Sequence, residues 1–481
     1  MRKPSPYVGI PGHGWLALIV VSVVGLLSTN PLLTLLCFWV VPLFVILLWR
    51  RFEPPILLFA VMVQWAEVST KVLHADVLNI SVEAMFKDAI VVESVVRGLV
   101  GLVILALGMR LALKGLHGQP TDEVWKEGME VSIPQTWHLY LGAFVLSLVL
   151  QGFIWLLPGL TQILLPILNL KWVFFFVLAY AVFLKKRNYE ILWLTVAIEV
   201  VVGFSGFFSG FKQVIFVLAV AYMSIGARMR GRRLAFVAAI TIMVFALGVV
   251  WMTVRKDYRN FVNAGTGMQV VMVNMEQRLS KLFELASDSE LADYIEGADR
   301  LARRIAYVDM FSHVLNRVPE SIPHEDGKLW ARAIRHVIMP RILFPEKARL
   351  RSDSETTMIY TGMSLSSDSE GTSISMGYMV ESYIDFGSTL MYAPVFLLGL
   401  LWGGMYRYFV TRGPPQLLGY AVAVTVLINA NQFGMQTNKL MGSMLMSFIV
   451  MALLLRFALP YLRGWIAVPR RITPRDQSQS V

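Results

Sequence analysis

Apolar residues recur along the chain in blocks of roughly 18 or more, separated by short polar breaks, from residue 15 to residue 458. Wound as an α-helix, a block of that length crosses the ~30 Å hydrocarbon core of a bilayer. The pattern predicts an all-α polytopic membrane protein with about twelve transmembrane helices and one large, partly helical extracytoplasmic loop. The predicted spans are 14–29, 31–49, 55–73, 89–113, 136–157, 171–184, 190–208, 212–227, 233–254, 386–409, 415–431 and 439–458. The 171–184 run is short, and residues 158–170 (PGLTQILLPILNL) read as interfacial or re-entrant. Arg2 and Lys3 before the first apolar run suit a signal peptide. No small-residue cleavage site follows and a second run begins at once, so 15–29 is read as a retained span.

This divides the chain into 1–254 with nine spans, a loop over 255–375, and 376–481 with three more spans and a basic tail. Loops as long as 255–375 are usually functional in compact proteins. Apolar spacing predicts helices over 268–286 and 289–315, the second with acids early and arginines late, matching the helix dipole. A third, KLWARAIRHVIM (328–339), is stopped by Pro340, and its Lys328, Arg332, Arg335 and His336 share one face. Residues 351–375 are rich in Ser, Thr and Gly and read as a flexible loop or lid.

Composition agrees. Charged residues are 16% and mean hydropathy is +0.61, against about 25% charged in soluble proteins. The single cysteine, Cys37, excludes a disulfide framework or a cysteine-based metal site. The net charge of +11 resolves once it is sorted by loop. With the N-terminus in the cytoplasm, the cytoplasmic loops receive Arg50, Arg51, Arg110, Lys114, Lys126, Lys185–Arg187, the RMRGRR cluster, Arg407, Arg412 and the tail arginines. The opposite short loops are nearly free of cations. Both termini are therefore read as cytoplasmic, and nucleic acid is discarded as a partner. The large loop falls outside. It carries 16 Lys/Arg and 17 Asp/Glu, a net −1, yet residues 328–351 hold seven bases against Glu346.

That basic zone, with Arg341 and Lys347 in PRILFPEK (340–347), suits phosphate oxygens, since Arg forks bind them in bidentate fashion and Lys adds a point charge. A solvated face attracting anionic lipid is the plainer reading. Charges within spans are costly and usually face a bundle interior or polar cavity. Glu67/Lys71 and Glu93/Arg97 are each four apart and can neutralise one another, whereas Glu199 has no local partner in sequence and is the better functional candidate. Glu67, Lys71, Glu93, Arg97, Lys212, Arg255, Lys256 and the polar hairpin NANQFGMQTNK (429–439) all fall towards the outer leaflet, which predicts an outward-facing polar cavity. In SMGYMVESYIDFG (375–387), Glu381 and Asp385 are candidate acids and Tyr378 and Tyr383 candidate sugar platforms; capping acids in an aromatic belt fit the spacing equally. There is no phosphate-binding loop, dinucleotide fingerprint or HExxH motif, and His313, His324 and His336 lack metal-ligand spacing.

SGFKQ (209–213), PRILFPEK with the Gly/Ser-rich stretch after it, ESYIDFG (381–387) and the late large loop together resemble the O-antigen and exopolysaccharide repeat-unit polymerases, the Wzy-type family. The architecture covers nearly the whole chain, the motifs are short, and Lys212 stands where relatives often have Arg. The resemblance implies a bacterial inner-membrane glycosyltransferase that needs neither metal nor cofactor. It would join polyprenyl-pyrophosphate-linked oligosaccharides, donor and acceptor alike, alongside a flippase and a chain-length regulator. Matching residues imply that Lys212, Arg341 and Lys347 neutralise the leaving pyrophosphate; Arg255, Arg332 and Arg335 join them by position. His336 and Glu381 are the candidate bases. An O-antigen-ligase-like transferase, a polysaccharide or lipid flippase, and a non-catalytic secretion partner remain open.

Overall fold

The computed structural model describes residues 7, 9–10, 12–86, 90–116, 121–153, 160–207, 210–226, 231–266, 271–339, 344, 346–347, 350–364, 374–412, 415–458, 461–462 and 466. Among these the chain is helical throughout, without strands. The first part holds α1 (Gly12–Leu26), α2 (Pro31–Leu48), α3 (Ile56–Val77), α4 (Val82–Phe86), α5 (Ile90–Ala112), α6 (Thr121–Glu130) and α7 (Ile133–Phe153). Then come α8 (Thr161–Leu168), α9 (Leu170–Lys185), α10 (Tyr189–Ser205), α11 (Lys212–Ser224) and α12 (Gly231–Val262). The large loop contributes α13 (Met275–Asp288), α14 (Leu291–Ile305), α15 (Val308–Leu315), α16 (Lys328–Ile338) and α17 (Asp353–Thr361). The chain closes with α18 (Tyr378–Leu390), α19 (Tyr392–Arg412), α20 (Gln416–Leu427), a 3-10 turn (Ile428–Asn431) and α21 (Thr437–Phe457).

Among the described residues, eight helices are long and apolar enough to cross a membrane, with Thr161–Lys185 counted as one; Gly14–Leu26, Lys212–Ser224 and Gln416–Asn431 are shorter apolar helices. The expected interfacial segment before 171–184 thus runs almost directly into that span. Other boundaries move as well. α12 extends to Val262, so Arg255 and Arg259 stand on a helix and the predicted division after residue 254 falls inside it. The helix predicted over 289–315 breaks between Ile305 and Val308. The span predicted from residue 386 is broken by Gly387, whose φ of 68° lies in the left-handed region that favours glycine. Part of the expected flexible stretch is α17, which Ser352 caps by accepting the Glu355 N–H (3.1 Å); residues 365–373 lie outside the described residues.

The centre of the bundle is the pair α5 and α19. It closes on glycine: a Cβ at Gly108 would stand 2.3 Å from the Phe396 carbonyl oxygen, and one at Gly399 would stand 2.2 Å from that of Leu105. Small residues let membrane helices approach backbone to backbone in this way.

The two ends of the bundle differ chemically. At one, Arg50 pairs with Glu53 (2.7 Å) and donates to the Leu116 carbonyl (3.1 Å). There too, Arg110 lies over the Tyr7 ring, Arg407 donates to the carbonyls of Ala112 and Lys114, and Lys185 donates to that of Val131. Among the described residues, these basic side chains share one end. At the other, the loop helices sit on α3, α5 and α12: Lys71 pairs with Asp309 (2.9 Å), His74 with Asp299 (3.2 Å), and Ser94 bonds Ser312 (2.7 Å).

Candidate functional site

At the end covered by the loop helices, a cavity of about 610 Å³ opens between α3, the start of α11, Tyr307, Asp353, Ser375 and the 428–439 hairpin. Glu67 of α3 lines its wall, and Gln64, three residues earlier on the same helix face, is buried beside it. Buried Gln64 accepts from the Tyr378 hydroxyl (2.7 Å) and donates to the Ala430 carbonyl (2.7 Å). Glu67 accepts the Phe433 N–H (2.9 Å), while its own carbonyl accepts the Tyr307 N–H (3.2 Å). The Tyr307 hydroxyl donates to the Ser375 carbonyl, and the Ser375 hydroxyl to that of Gly434. Gly434 is required by contact: a Cβ there would lie 2.2 Å from Cζ of Tyr307. A non-regular hairpin, whose backbone groups helices would otherwise satisfy, is thereby held by side chains on every side. Asn429, Asn431 and Gln432 are left facing the cavity.

Two carboxylates and two ammonium groups line the same space. Asp353 is 7% exposed and pairs with Lys439 (2.5 Å). Glu67 and Lys212 feel each other's charge across the cavity. Among the described residues, no hydrogen bond or ion pair engages the Lys212 ammonium. Gly210, bonded through its N–H to the Gly203 carbonyl (3.0 Å), sets the turn that starts α11. Behind Lys212 the positive charge deepens: Arg304 at the end of α14 acts electrostatically on Lys212, Arg255 and Arg259 alike. Of these four cations Lys212 lines the cavity, and Arg255, Arg259 and Arg304 stand behind it as one field.

The expected site residues divide. Lys212 and Arg255 belong to this field. Arg332 lines a separate space of about 40 Å³ on the other side of the hairpin, with Arg351, Glu381, Gln436 and Asn438. Arg335 is exposed on α16. Lys347 is turned onto the C-terminus of α16, donating to the carbonyls of His336 and Met339 (2.7 Å for the latter). His336 is half-buried on that helix, and Arg341 and Arg349 lie outside the described residues. Among the described cations of this zone, Arg332 and Arg351 line that small space while Lys347 bonds the end of α16.

The two acids of 375–387 serve helix ends. Asp385 accepts the N–H groups of Leu329 (3.0 Å) and Trp330 (2.7 Å), capping α16 from another element. Glu381 is 6% exposed and accepts the Thr437 N–H (2.9 Å) at the start of α21. Burial pushes its carboxyl up to about 7 against that bond. Tyr378 and Tyr383, expected as sugar platforms, are core residues, the second donating to the Val318 carbonyl (2.9 Å). Glu199 is not unpartnered: Lys171 (2.8 Å) and the Tyr140 hydroxyl (2.6 Å) hold it inside the bundle. Glu93 and Arg97 do pair as their spacing suggests. Glu67 and Lys71 do not.

Sequence reasoning missed Asp353 as a lining residue and Arg304 and Arg259 behind Lys212, whereas Lys439 closes the hairpin expected to face the cavity. Arg304 ends a helix where a cation also suits the dipole, and Asp353 sits in the stretch 351–375 that reads as a flexible loop or lid. The hairpin and Glu67 did carry a signal, polar groups at one depth. No curated protein and no solved structure matches the chain. Residues 70–461 match the family model described as a domain of unknown function, DUF8712, and the chain belongs to that family.

Proposed function

We propose that this chain is a membrane glycosyltransferase that joins polyprenyl-pyrophosphate-linked oligosaccharide repeat units into a surface polysaccharide. It acts at the bacterial inner membrane, with the basic loops and both termini in the cytoplasm and the cavity open to the outside. One observation carries the reading: Glu67, Asp353, Lys212, Lys439 and amide side chains line a single polar cavity, with Arg304 acting on Lys212 from behind, at the end of the bundle away from the basic residues Arg50, Arg110 and Arg407.

The chemistry follows from that grouping. A hydroxyl of the acceptor sugar attacks the anomeric carbon of the donor, the bond to the pyrophosphate breaks, and charge builds on the departing oxygen. In this reading Lys212, which lines the cavity, offsets that charge with Arg255 and Arg304 behind it, and electrostatic stabilisation of this kind is usually the largest catalytic contribution. Glu67 is the base the cavity favours: the Phe433 N–H fixes its carboxylate, while Asp353 is tied to Lys439. Asn429, Asn431 and Gln432 supply the donors and acceptors that sugar hydroxyls need. In this reading Arg332, Arg335 and Lys347 hold the neighbouring segment and leave the pyrophosphate to the α11, α12 and α14 cations.

Deletion in the native host, followed by gel analysis of surface glycans, tests the reading. Single repeat units left on lipid support a polymerase. Full-length but unattached chains indicate a ligase, and a cytoplasmic build-up indicates a flippase; either overturns the proposal.

A further inference from the structure

Helices α13 and α14 carry an apolar edge that the cavity does not use. Leu282 and Leu285 of α13 pack with Trp251 and Tyr258 of α12. α14 crosses α12 at Gly297, where a Cβ would stand 2.2 Å from Thr253 Oγ1. Past the crossing the chain reaches α3, through the Asp299–His74 pair and then the Tyr307–Glu67 backbone bond. The N-terminal end of α14 lies on the other side of the crossing, and there Leu291 and Ile295 are 76% and 64% exposed; Phe283 of α13 is 77% exposed.

Exposed apolar surface gathered on one edge marks an interaction site. The occupant is indicated by the surface it continues. α12 is a candidate span with only 11% of its apolar window buried, so its remaining surface meets lipid, and α13 and α14 lean on its last turns. α14 is also divided by side: Leu291, Ile295, Ala298 and Ala302 follow one stripe, while Glu296, Arg300 and Arg303 are charged on the other flank. Helices so divided lie in the bilayer interface with their apolar face sunk about 5–10 Å.

We propose that α13 and α14 form an interfacial element whose Phe283–Leu291–Ile295 edge is embedded in the leaflet on the cavity side. The occupant is the lipid bilayer. This rests on the membrane-spanning reading of α12 and not on the transferase chemistry. Because α14 carries Arg304 at its opposite end, contact with lipid fixes how that guanidinium acts on Lys212.

The test uses the full chain in lipid nanodiscs. Cys37 is fully buried and does not compete for label. A polarity-sensitive fluorophore is placed by Phe283→Cys, Leu291→Cys, Ile295→Cys and, on the charged flank, Glu296→Cys. All four positions are exposed, so the fold is retained. Nitroxide lipids labelled near the headgroup should quench the first three more than about two-fold more strongly than the fourth. Equal, weak quenching with water-like emission at all four overturns the proposal. So does label-to-label contact that grows with protein concentration without lipid quenching, which would make the occupant a second copy of the chain.

Discussion

Glu67 and Lys71 stand one helical turn apart, a spacing that suits a mutual ion pair, yet each serves a different neighbour. Lys71 holds Asp309 of the loop helices and Glu67 holds the Phe433 N–H of the hairpin. Spacing along one helix gives proximity, and tertiary partners decide the pairing. The same holds for Glu199, which lacks a local partner in sequence because Lys171 and Tyr140 reach it from two other helices. Glu67→Gln should keep the Phe433 bond and the fold, since the amide oxygen still accepts, while lowering chain extension at least about 10²-fold through loss of the base. Extension near the wild-type rate with that variant would remove Glu67 from the chemistry. Glu381 is used differently. Its carboxyl rises from 4.5 to about 7 on folding, so the folded state favours the protonated form. Stability is then greatest below about pH 4.5, falls by roughly 3 kcal/mol as pH rises to about 7, and is flat above. Thermal unfolding in detergent at pH 5 and pH 8 should show that loss, and Glu381→Gln should abolish the difference.

Among the elements, hydrophobic blocks located nearly every helix of the bundle, because apolar length is a direct requirement of the bilayer. They could not locate where a helix stops when polar residues continue it. α12 runs on through Arg255 and Arg259 because Tyr258 and Val262 still bury against α13 and α10, which a hydropathy break cannot reveal. α16 was legible from its period, and its cap was not, since Asp385 lies 55 residues from Trp330. Asp385→Ala should cost about 1–2 kcal/mol and speed amide exchange in α16 ahead of the membrane helices. Uniform exchange across the chain in that variant would show that the cap has no local role. The α5–α19 seam makes a harsher case. Gly399→Val would drive a side chain into the Leu105 carbonyl, costing about 3 kcal/mol or more and the monodisperse peak in size-exclusion chromatography.

Taken as one molecule, the chain separates its charge by end. Arg50, Arg110, Lys185 and Arg407 bond backbone or aromatic groups at one end; the cavity and its cation field occupy the other. Counting cations by loop anticipated the first half of that arrangement. The second half is only partly visible in sequence, because Lys212, Arg255, Arg259 and Arg304 come together from α11, α12 and α14, far apart along the chain. Cysteines introduced at Lys186 and at Glu320 should label from opposite faces of intact cells, and labelling from the same face would invert the account of the two ends. The central claim is that the cavity transfers glycan from a lipid pyrophosphate with the help of its cations. It is tested most directly by chain extension in proteoliposomes loaded with the native polyprenyl-pyrophosphate repeat unit, comparing wild type with Lys212→Ala. A ladder of lengthened glycan from the wild type, slowed about 10²–10³-fold in the variant, is the predicted result. No ladder from the wild type, or equal ladders from both, would contradict it.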